Sequence, residues 1–107
     1  MLNENKCSAE RFLVELGKII KAIDEKMEKE KKTPIGLKIL GKEKLSKKDV
    51  IRIVEKIAPR YIYYLDQKER KKFEINSLSE NFWKEIEELE KNNKIKFLIF
   101  CGYLEKI

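Results

Sequence analysis

The sequence predicts one small α+β domain, in which a mainly antiparallel sheet packs on helices in the order α–(β)–α–β–β–α–β. Three observations favour this fold class. Three segments carry apolar residues at three- and four-residue spacing, which is typical of amphipathic helices. Two further segments are rich in β-branched and aromatic residues, as strands are. The length of 107 residues suits a single compact domain spanning 1–107, of which we expect residues 1–7 to be flexible.

The longest predicted helix covers residues 8 to about 31. Ser8 is a suitable N-cap, and Glu10 places a carboxylate in the first turn, where the helix dipole favours it. The Thr33-Pro34 pair is expected to stop the helix. One wide apolar stripe runs along it, formed by Phe12, Leu13, Leu16, Ile19, Ile20, Ile23 and Met27.

Two shorter helices are predicted from capping boxes, in which a Ser and an acidic residue three positions later satisfy each other's backbone N–H groups. Ser46 and Asp49 open the first, which Ala58-Pro59 is expected to end after three turns. Ser77 and Glu80 open the second, which runs to about Lys91. Asn92-Asn93 then suits a helix exit or turn. The side chains predicted to face inward from this last helix are Phe82, Trp83, Ile86 and Leu89.

The strands are predicted in the remaining segments. Residues 33–45 allow either a short strand between glycines or an ordered loop. Residues 60–65 and 71–75 favour a β-hairpin, with a second short helix from Pro59 as the alternative. Residues 94–103 are predicted to be a strand that is apolar on both faces and therefore central in the sheet or packed on both sides.

The composition excludes several classes of protein. No run approaches the roughly 18 apolar residues of a membrane span, and a 42% hydrophobic fraction is too high for a disordered polar tail. Because the chain has no His, it offers no His-based triad and no His-ligated metal site. Cys7 and Cys101 form neither a CxxC motif nor a disulfide scaffold, and the polar N-terminus lacks an apolar signal segment. We therefore expect a cytoplasmic protein without a membrane partner.

The charged residues are strongly biased towards Lys and Glu. The chain has 21 Lys against 4 Arg, and 16 Glu against 3 Asp. This enrichment is the signal of proteins from high-temperature organisms, but an AT-rich genome would produce it as well. Neither explanation assigns a function.

The surplus of positive charge lies in the middle of the chain. The net charge is +6, residues 31–48 alone carry +6, residues 49–75 carry +2, and each end carries −1. A concentrated basic stretch predicts a polyanion binder, because each lysine that neutralises a phosphate releases a condensed counterion. Since arginines are few, contacts to backbone phosphates should dominate over base recognition. The nucleic-acid-binding residues predicted on this basis are Lys38, Lys42, Lys44, Lys47, Lys48 and Arg52, followed by Arg60, Lys71 and Lys72.

Other motifs carry less weight. Tyr61, Tyr63 and Tyr64 could stack on unpaired bases, although aromatic residues are also ordinary strand formers. Residues 36–42 match the G-x-x-x-x-G-K skeleton of a phosphate-binding loop, but Glu43 stands where a Ser or Thr should hold magnesium. The short basic helix after residue 46 resembles part of a winged helix, without the second helix that would contact bases.

No enzymatic activity is predicted, and neither a cofactor nor a metal is expected. The run of glutamates at residues 85–90 suits a solvated helix face, and Cys101 has no His to activate it as a nucleophile.

The leading hypothesis is a small, basic, non-catalytic protein that binds the backbone of DNA or RNA through its Lys-rich central segment. The alternative is a protein-binding module, such as a small subunit or an inhibitor of a larger nucleic-acid-processing complex, of the kind that mobile elements encode. Such a module would place the basic segment on an acidic protein surface, or use the glutamates at residues 85–90 to imitate phosphates. Residues Leu13, Leu16, Ile20, Ile23 and Met27 approximate a short heptad seam, so an uncovered first helix would also support a homodimer.

Overall fold

The computed structural model describes residues 8–64 and 80–104, and this part of the chain is helical with no strand. The predicted α+β fold with an antiparallel sheet is therefore wrong, and an all-helical arrangement replaces it. The helices are α1 (Ser8–Lys29), α2 (Gly36–Leu40), α3 (Lys47–Tyr64), α4 (Glu80–Lys91) and α5 (Ile95–Leu104).

Helix α1 forms as its apolar stripe predicts and ends two residues earlier than expected. Six of the seven stripe residues are buried and Phe12 is half-buried. Lys31 has a φ of 63°, and the Lys32 N–H donates to the Met27 carbonyl at 2.9 Å. These are the features of a Schellman motif, so the helix is stopped by a left-handed residue and not by Thr33-Pro34.

Helix α5 replaces the strand predicted over residues 94–103. An apolar run of this length does not distinguish a strand from a buried helix by periodicity, because both of its faces are apolar. In the helix, Ile95, Ile99 and Gly102 form one buried face at spacings of four and three residues. This face packs against α1, and the α1–α5 interface is the most extensive one between the described helices.

Two glycines let the backbones of α1 and α5 touch. A Cβ atom on Gly17 would collide with the Ile99 carbonyl oxygen, and one on Gly102 would collide with the Val14 carbonyl oxygen. Because both obstacles are backbone atoms, a side-chain rotation cannot relieve either collision. The α1–α5 crossing therefore requires glycine at both positions.

Helix α3 continues through Pro59, where the sequence predicted a stop. The hairpin predicted over residues 60–65 is wrong for residues 60–64, whose backbone belongs to α3. Pro59 and Glu55 are both exposed, so the carbonyl that loses its N–H donor can be solvated by water. The proposed partner strand at residues 71–75 lies outside the described residues.

Helix α2 occupies part of the segment predicted as a strand or loop, and α4 follows its prediction over its described length. Phe82, Ile86 and Leu89 of α4 are buried, whereas Trp83 is partly buried. The Phe82 ring meets Phe12 edge-to-face at a centroid distance of 4.9 Å. Asn93, with a φ of 56°, ends α4 in a second Schellman motif, which confirms the predicted helix exit.

The buried apolar side chains of the described helices form one cluster. It combines the α1 stripe with residues from α2, α3, α4 and α5. The heptad-like seam on α1 belongs to this core: Leu13, Leu16, Ile20 and Ile23 are fully buried and Met27 is 5% exposed. The α1 seam is therefore unavailable to a second copy of the chain.

Candidate nucleic-acid interface

Helices α2 and α3 enclose an open groove of about 440 Å³ on the basic side of the molecule. The apolar side chains of Ile39, Leu45 and Ile53 contribute to its lining. Two carboxylates, Asp49 and Glu55, also line it. Four exposed cations surround this α2–α3 groove: Lys38, Lys42, Arg52 and Lys56.

The α2 side of the groove is held in place by Asp24, a carboxylate of α1 that is only 2% exposed. Its Oδ1 accepts the Ile35 N–H at 2.9 Å, and its Oδ2 accepts the Gly36 N–H at 2.9 Å. Oδ2 also accepts the Tyr103 hydroxyl of α5 at 2.7 Å. A buried carboxylate needs such donors to offset the loss of water. Asp24 thus ties the start of α2 to both α1 and α5.

Tyr103 is held firmly in this network. Partial burial raises the pKa of its phenol far above the ordinary value, and the hydrogen bond to Asp24 raises it further. The hydroxyl therefore stays protonated and donates to Asp24 across the physiological range. The Lys21 ammonium lies 5.2 Å from the Tyr103 ring centroid, in the range of a cation–π contact.

The α3 side of the groove begins with the predicted capping box, which the structure confirms. The Ser46 N–H donates to Asp49 Oδ2 at 2.8 Å, and the Asp49 N–H donates to Ser46 Oγ at 3.2 Å. Lys42 forms an ion pair with Asp49 Oδ1 at 2.7 Å. Burial raises the pKa of Asp49, but the hydrogen bonds from Lys42 and Ser46 outweigh it and the net pKa is lowered. Asp49 therefore fixes the loop between α2 and α3 and offsets part of the Lys42 charge.

Lys47 lies on a different face of α3, turned towards α4. Its ammonium donates to Glu87 Oε2 at 2.9 Å and lies 5.8 Å from the Trp83 ring centroid. Its backbone N–H donates to Glu90 Oε1 at 2.8 Å. The hydrogen bond from Lys47 lowers the pKa of Glu87. Lys47 thus joins α3 to α4 and does not line the groove.

The other predicted binding residues divide into three groups. Lys38, Lys42 and Arg52 meet at the groove, and Lys44 and Lys48 are exposed in the same segment of chain. Arg60 belongs to α3 by its backbone alone, since its side chain is not described. Lys71 and Lys72 lie outside the described residues, and the side chains of Tyr61, Tyr63 and Tyr64 are not described either.

Lys56 is the cation that the sequence analysis missed. It follows Lys48 and Arg52 at four-residue intervals, so all three share one face of α3. That spacing was visible in the sequence. Lys56 lies inside the helix predicted to end at Ala58-Pro59, so the four-residue spacing of Lys48, Arg52 and Lys56 is the signal that identifies it.

Three glutamates of α4 make structural contacts with neighbouring helices: Glu85, Glu87 and Glu90. Glu85 Oε1 accepts the Ala9 N–H at 3.0 Å and so caps the start of α1. Glu87 and Glu90 hold Lys47, as described above. Among residues 8–64 and 80–104, no cluster of three or more acidic or Cys side chains is arranged to hold a metal ion. The G-x-x-x-x-G-K match does not form a phosphate loop, because it begins in α2 and its Gly36 N–H is bonded to Asp24.

Comparisons with protein-family models, with curated proteins and with solved structures found no match for this chain. Within the described parts of the chain, none of the helices combines the length and apolar character needed to cross a membrane.

Proposed function

We propose that this protein binds the phosphate backbone of a nucleic acid at the α2–α3 groove. The observation that carries the proposal is the convergence of Lys38, Lys42, Arg52 and Lys56 on one open depression. These residues are separated by up to 18 positions in the sequence, so their grouping is a property of the fold. Cations grouped around a depression can meet successive phosphates while the counterions of those phosphates are released.

The composition of the groove favours contacts to the backbone over recognition of bases. Three of its four cations are lysines, which act as point charges, and the Asp49 carboxylate already engages Lys42. The exposed Lys44 and Lys48 extend the positive surface beyond the groove. Such an arrangement suits binding with little sequence preference and strong dependence on salt. We place this activity in the cytoplasm, where the free, exposed thiol of Cys101 would remain reduced.

The apolar part of the groove lining favours a second candidate function. A phosphate gains no favourable contact from the apolar side chains in the lining. An apolar side chain of an acidic peptide could contact them, at Ile39, Leu45 and Ile53. In that case the protein is a binding module for another protein. The two functions differ in whether naked nucleic acid is sufficient for binding.

The experiment is a fluorescence-anisotropy titration with labelled duplex DNA, single-stranded DNA and RNA at several salt concentrations. About four phosphate contacts on duplex DNA would give a log–log salt slope of roughly −3 to −4. We expect the double variant Lys38→Glu with Arg52→Glu to lose at least about tenfold in affinity, because both cations line the groove.

The matched control is the double variant Lys84→Glu with Lys91→Glu. Both residues are exposed on α4, and the change in net charge is the same. The control should retain most of the affinity. Equal losses in the two double variants would show that net charge alone drives binding. Absence of binding to all three nucleic acids at about 50 mM salt would contradict the proposed function and favour a protein partner.

A further inference from the structure

Helix α5 presents an uncharged apolar face to solvent. Phe97 is 62% exposed, Leu104 is 56% exposed and Phe100 is 42% exposed. Together with the exposed Cys101 they occupy positions i, i+3, i+4 and i+7, which share one side of a helix. No charged residue occurs between residues 97 and 104, in a chain of which 41% is charged. We call Phe97, Phe100, Cys101 and Leu104 the α5 stripe.

The α5 stripe is separate from the core. The opposite face of the helix, with Ile95, Ile99 and Gly102, is buried against α1. Exposing three large apolar side chains in one row is unfavourable in free energy. Such contiguous apolar patches are characteristic of interaction surfaces. The seam on α1, by contrast, is buried by the molecule's own side chains, whereas the apolar side chains of the α5 stripe are exposed.

The charges at the ends of α5 indicate which partner. Lys94 and Lys96 stand at its beginning, and the helix has no acidic residue in its first turn and no basic residue in its last. Cations at a helix N-terminus oppose the helix dipole, and the last described turn of α5 contributes no basic residue of its own to the negative C-terminal end. An antiparallel copy of the same helix would place each pair of lysines against the other's C-terminal end. Both imbalances would be relieved together.

We propose that the α5 stripe is a self-association surface, on which a second copy of this chain docks its own α5 stripe in antiparallel orientation. Cys101 lies near the middle of the stripe, so the two Cys101 side chains would come close to the two-fold axis. The contact area of one short helix falls below the roughly 800 Å² per partner of a standard interface. The association should therefore be weak, with a dissociation constant on the order of tens of micromolar.

The test is sedimentation equilibrium of the full chain from about 5 to 500 µM, a range that brackets the expected constant. Wild type should pass from monomer to dimer, and high salt should weaken the association by no more than the several-fold contribution of Lys94 and Lys96, because the apolar contact itself is not screened. Phe97→Glu should raise the dissociation constant at least about tenfold, since it puts a charge into the contact. The control Asn81→Glu adds the same charge at an exposed position of α4 and should change the constant by less than about twofold.

Two further measurements test the antiparallel orientation of the two α5 helices. In a Cys7→Ser background, mild oxidation should give a Cys101-linked dimer, and Phe97→Glu should suppress it. Lys94→Glu with Lys96→Glu should weaken the association several-fold, because it removes the cations that face the partner helix end. A stronger association in that variant would contradict the antiparallel arrangement.

Two results would overturn the proposal as a whole. One is a chain that stays monomeric at every concentration, including one that binds anionic vesicles as a monomer. The other is a fall of more than about 5 °C in the melting temperature of Phe97→Glu, which is too large for an exposed position. Such a fall would mean that another part of the same chain covers the α5 stripe. Neither result depends on nucleic-acid binding, so the proposed function can fail or hold independently.

Discussion

The α1–α5 pair and the α2–α3 groove are built by opposite means. The pair is apolar, with Gly17 and Gly102 bringing two backbones into contact, and side chains fill the rest of the interface. The groove is lined by exposed cations, and two carboxylates position its ends: Asp24 holds α2, and Asp49 holds the loop before α3. This difference separates stability from binding. Substitutions in the pair should change unfolding, whereas substitutions around the groove should change affinity.

The largest expected effect is on the helix pair. Gly102→Ala should reduce the free energy of unfolding by about 3 kcal/mol or more, because the new Cβ collides with the Val14 backbone. Urea unfolding followed by circular dichroism measures this change. Without the close crossing, the same substitution inside a helix would stabilise the protein by up to about 1 kcal/mol. The sign of the effect therefore tests the crossing directly.

The next effect is at Asp24, the residue that links the two regions. Asp24→Ala leaves the Ile35 and Gly36 N–H groups and the Tyr103 hydroxyl without their acceptor. We expect a loss of about 2–4 kcal/mol in unfolding free energy, together with weaker nucleic-acid binding as α2 loosens. Glu25→Ala, at the exposed neighbouring position, is the control for chemical denaturation and should change stability by less than about 0.5 kcal/mol. Unchanged binding in Asp24→Ala would show that α2 does not shape the binding site.

A smaller effect concerns the cap of α3. Ser46→Ala should cost about 1 kcal/mol in thermal or urea unfolding, because it removes the side chain that accepts the Asp49 N–H.

The same capping box makes stability depend on pH. The pKa of Asp49 is lowered in the folded state, so its stabilising contribution is complete above the ordinary carboxyl pKa and disappears as the pH falls through the lowered value. The difference in unfolding free energy between wild type and Asp49→Asn should therefore be largest near pH 6 and shrink below about pH 4. A difference that grows on acidification would contradict the sign of this shift.

The smallest expected effect on stability belongs to the groove cations. Lys38→Glu with Arg52→Glu should change the melting temperature by only a few degrees, since both side chains are exposed and contribute little to the core. A large fall in melting temperature would contradict the separation of stability from binding, because the groove cations would then contribute substantially to the stability of the fold.

The sequence predicted the helices whose signals are local. The α1 stripe, the inward face of α4 and the Ser46–Asp49 cap depend on spacing within a few residues, and each is found in the structure. The failures at α3 and α5 have a common cause. A β-branched or apolar segment fits either a strand or a helix, and the choice is decided by what it packs against. For α5 the deciding feature is its packing on α1, where Gly102 approaches the Val14 backbone and Gly17 approaches the Ile99 backbone.

Like the fold, the candidate site could be predicted from the sequence only in part. The regional surplus of charge pointed to the segment that contains Lys38, Lys42 and Arg52, and the structure places these three residues around one groove. It could not show that Lys47 turns towards Glu87 and Trp83, because those residues lie at least 36 positions away and the contact depends on the packing of α3 on α4. Charge statistics identify a basic region, and tertiary contacts decide which of its members are available.

The most direct test of the account is a titration of isotope-labelled protein with a short oligonucleotide, followed by amide chemical shifts. We expect the shifts to concentrate on α2, the following loop and the exposed face of α3, around Lys38, Lys42, Arg52 and Lys56. The α1–α5 crossing around Gly17 and Gly102 should remain unperturbed. Shifts centred on α4 or on the α5 stripe, or no shifts at low salt, would contradict the claim that the groove is the binding site.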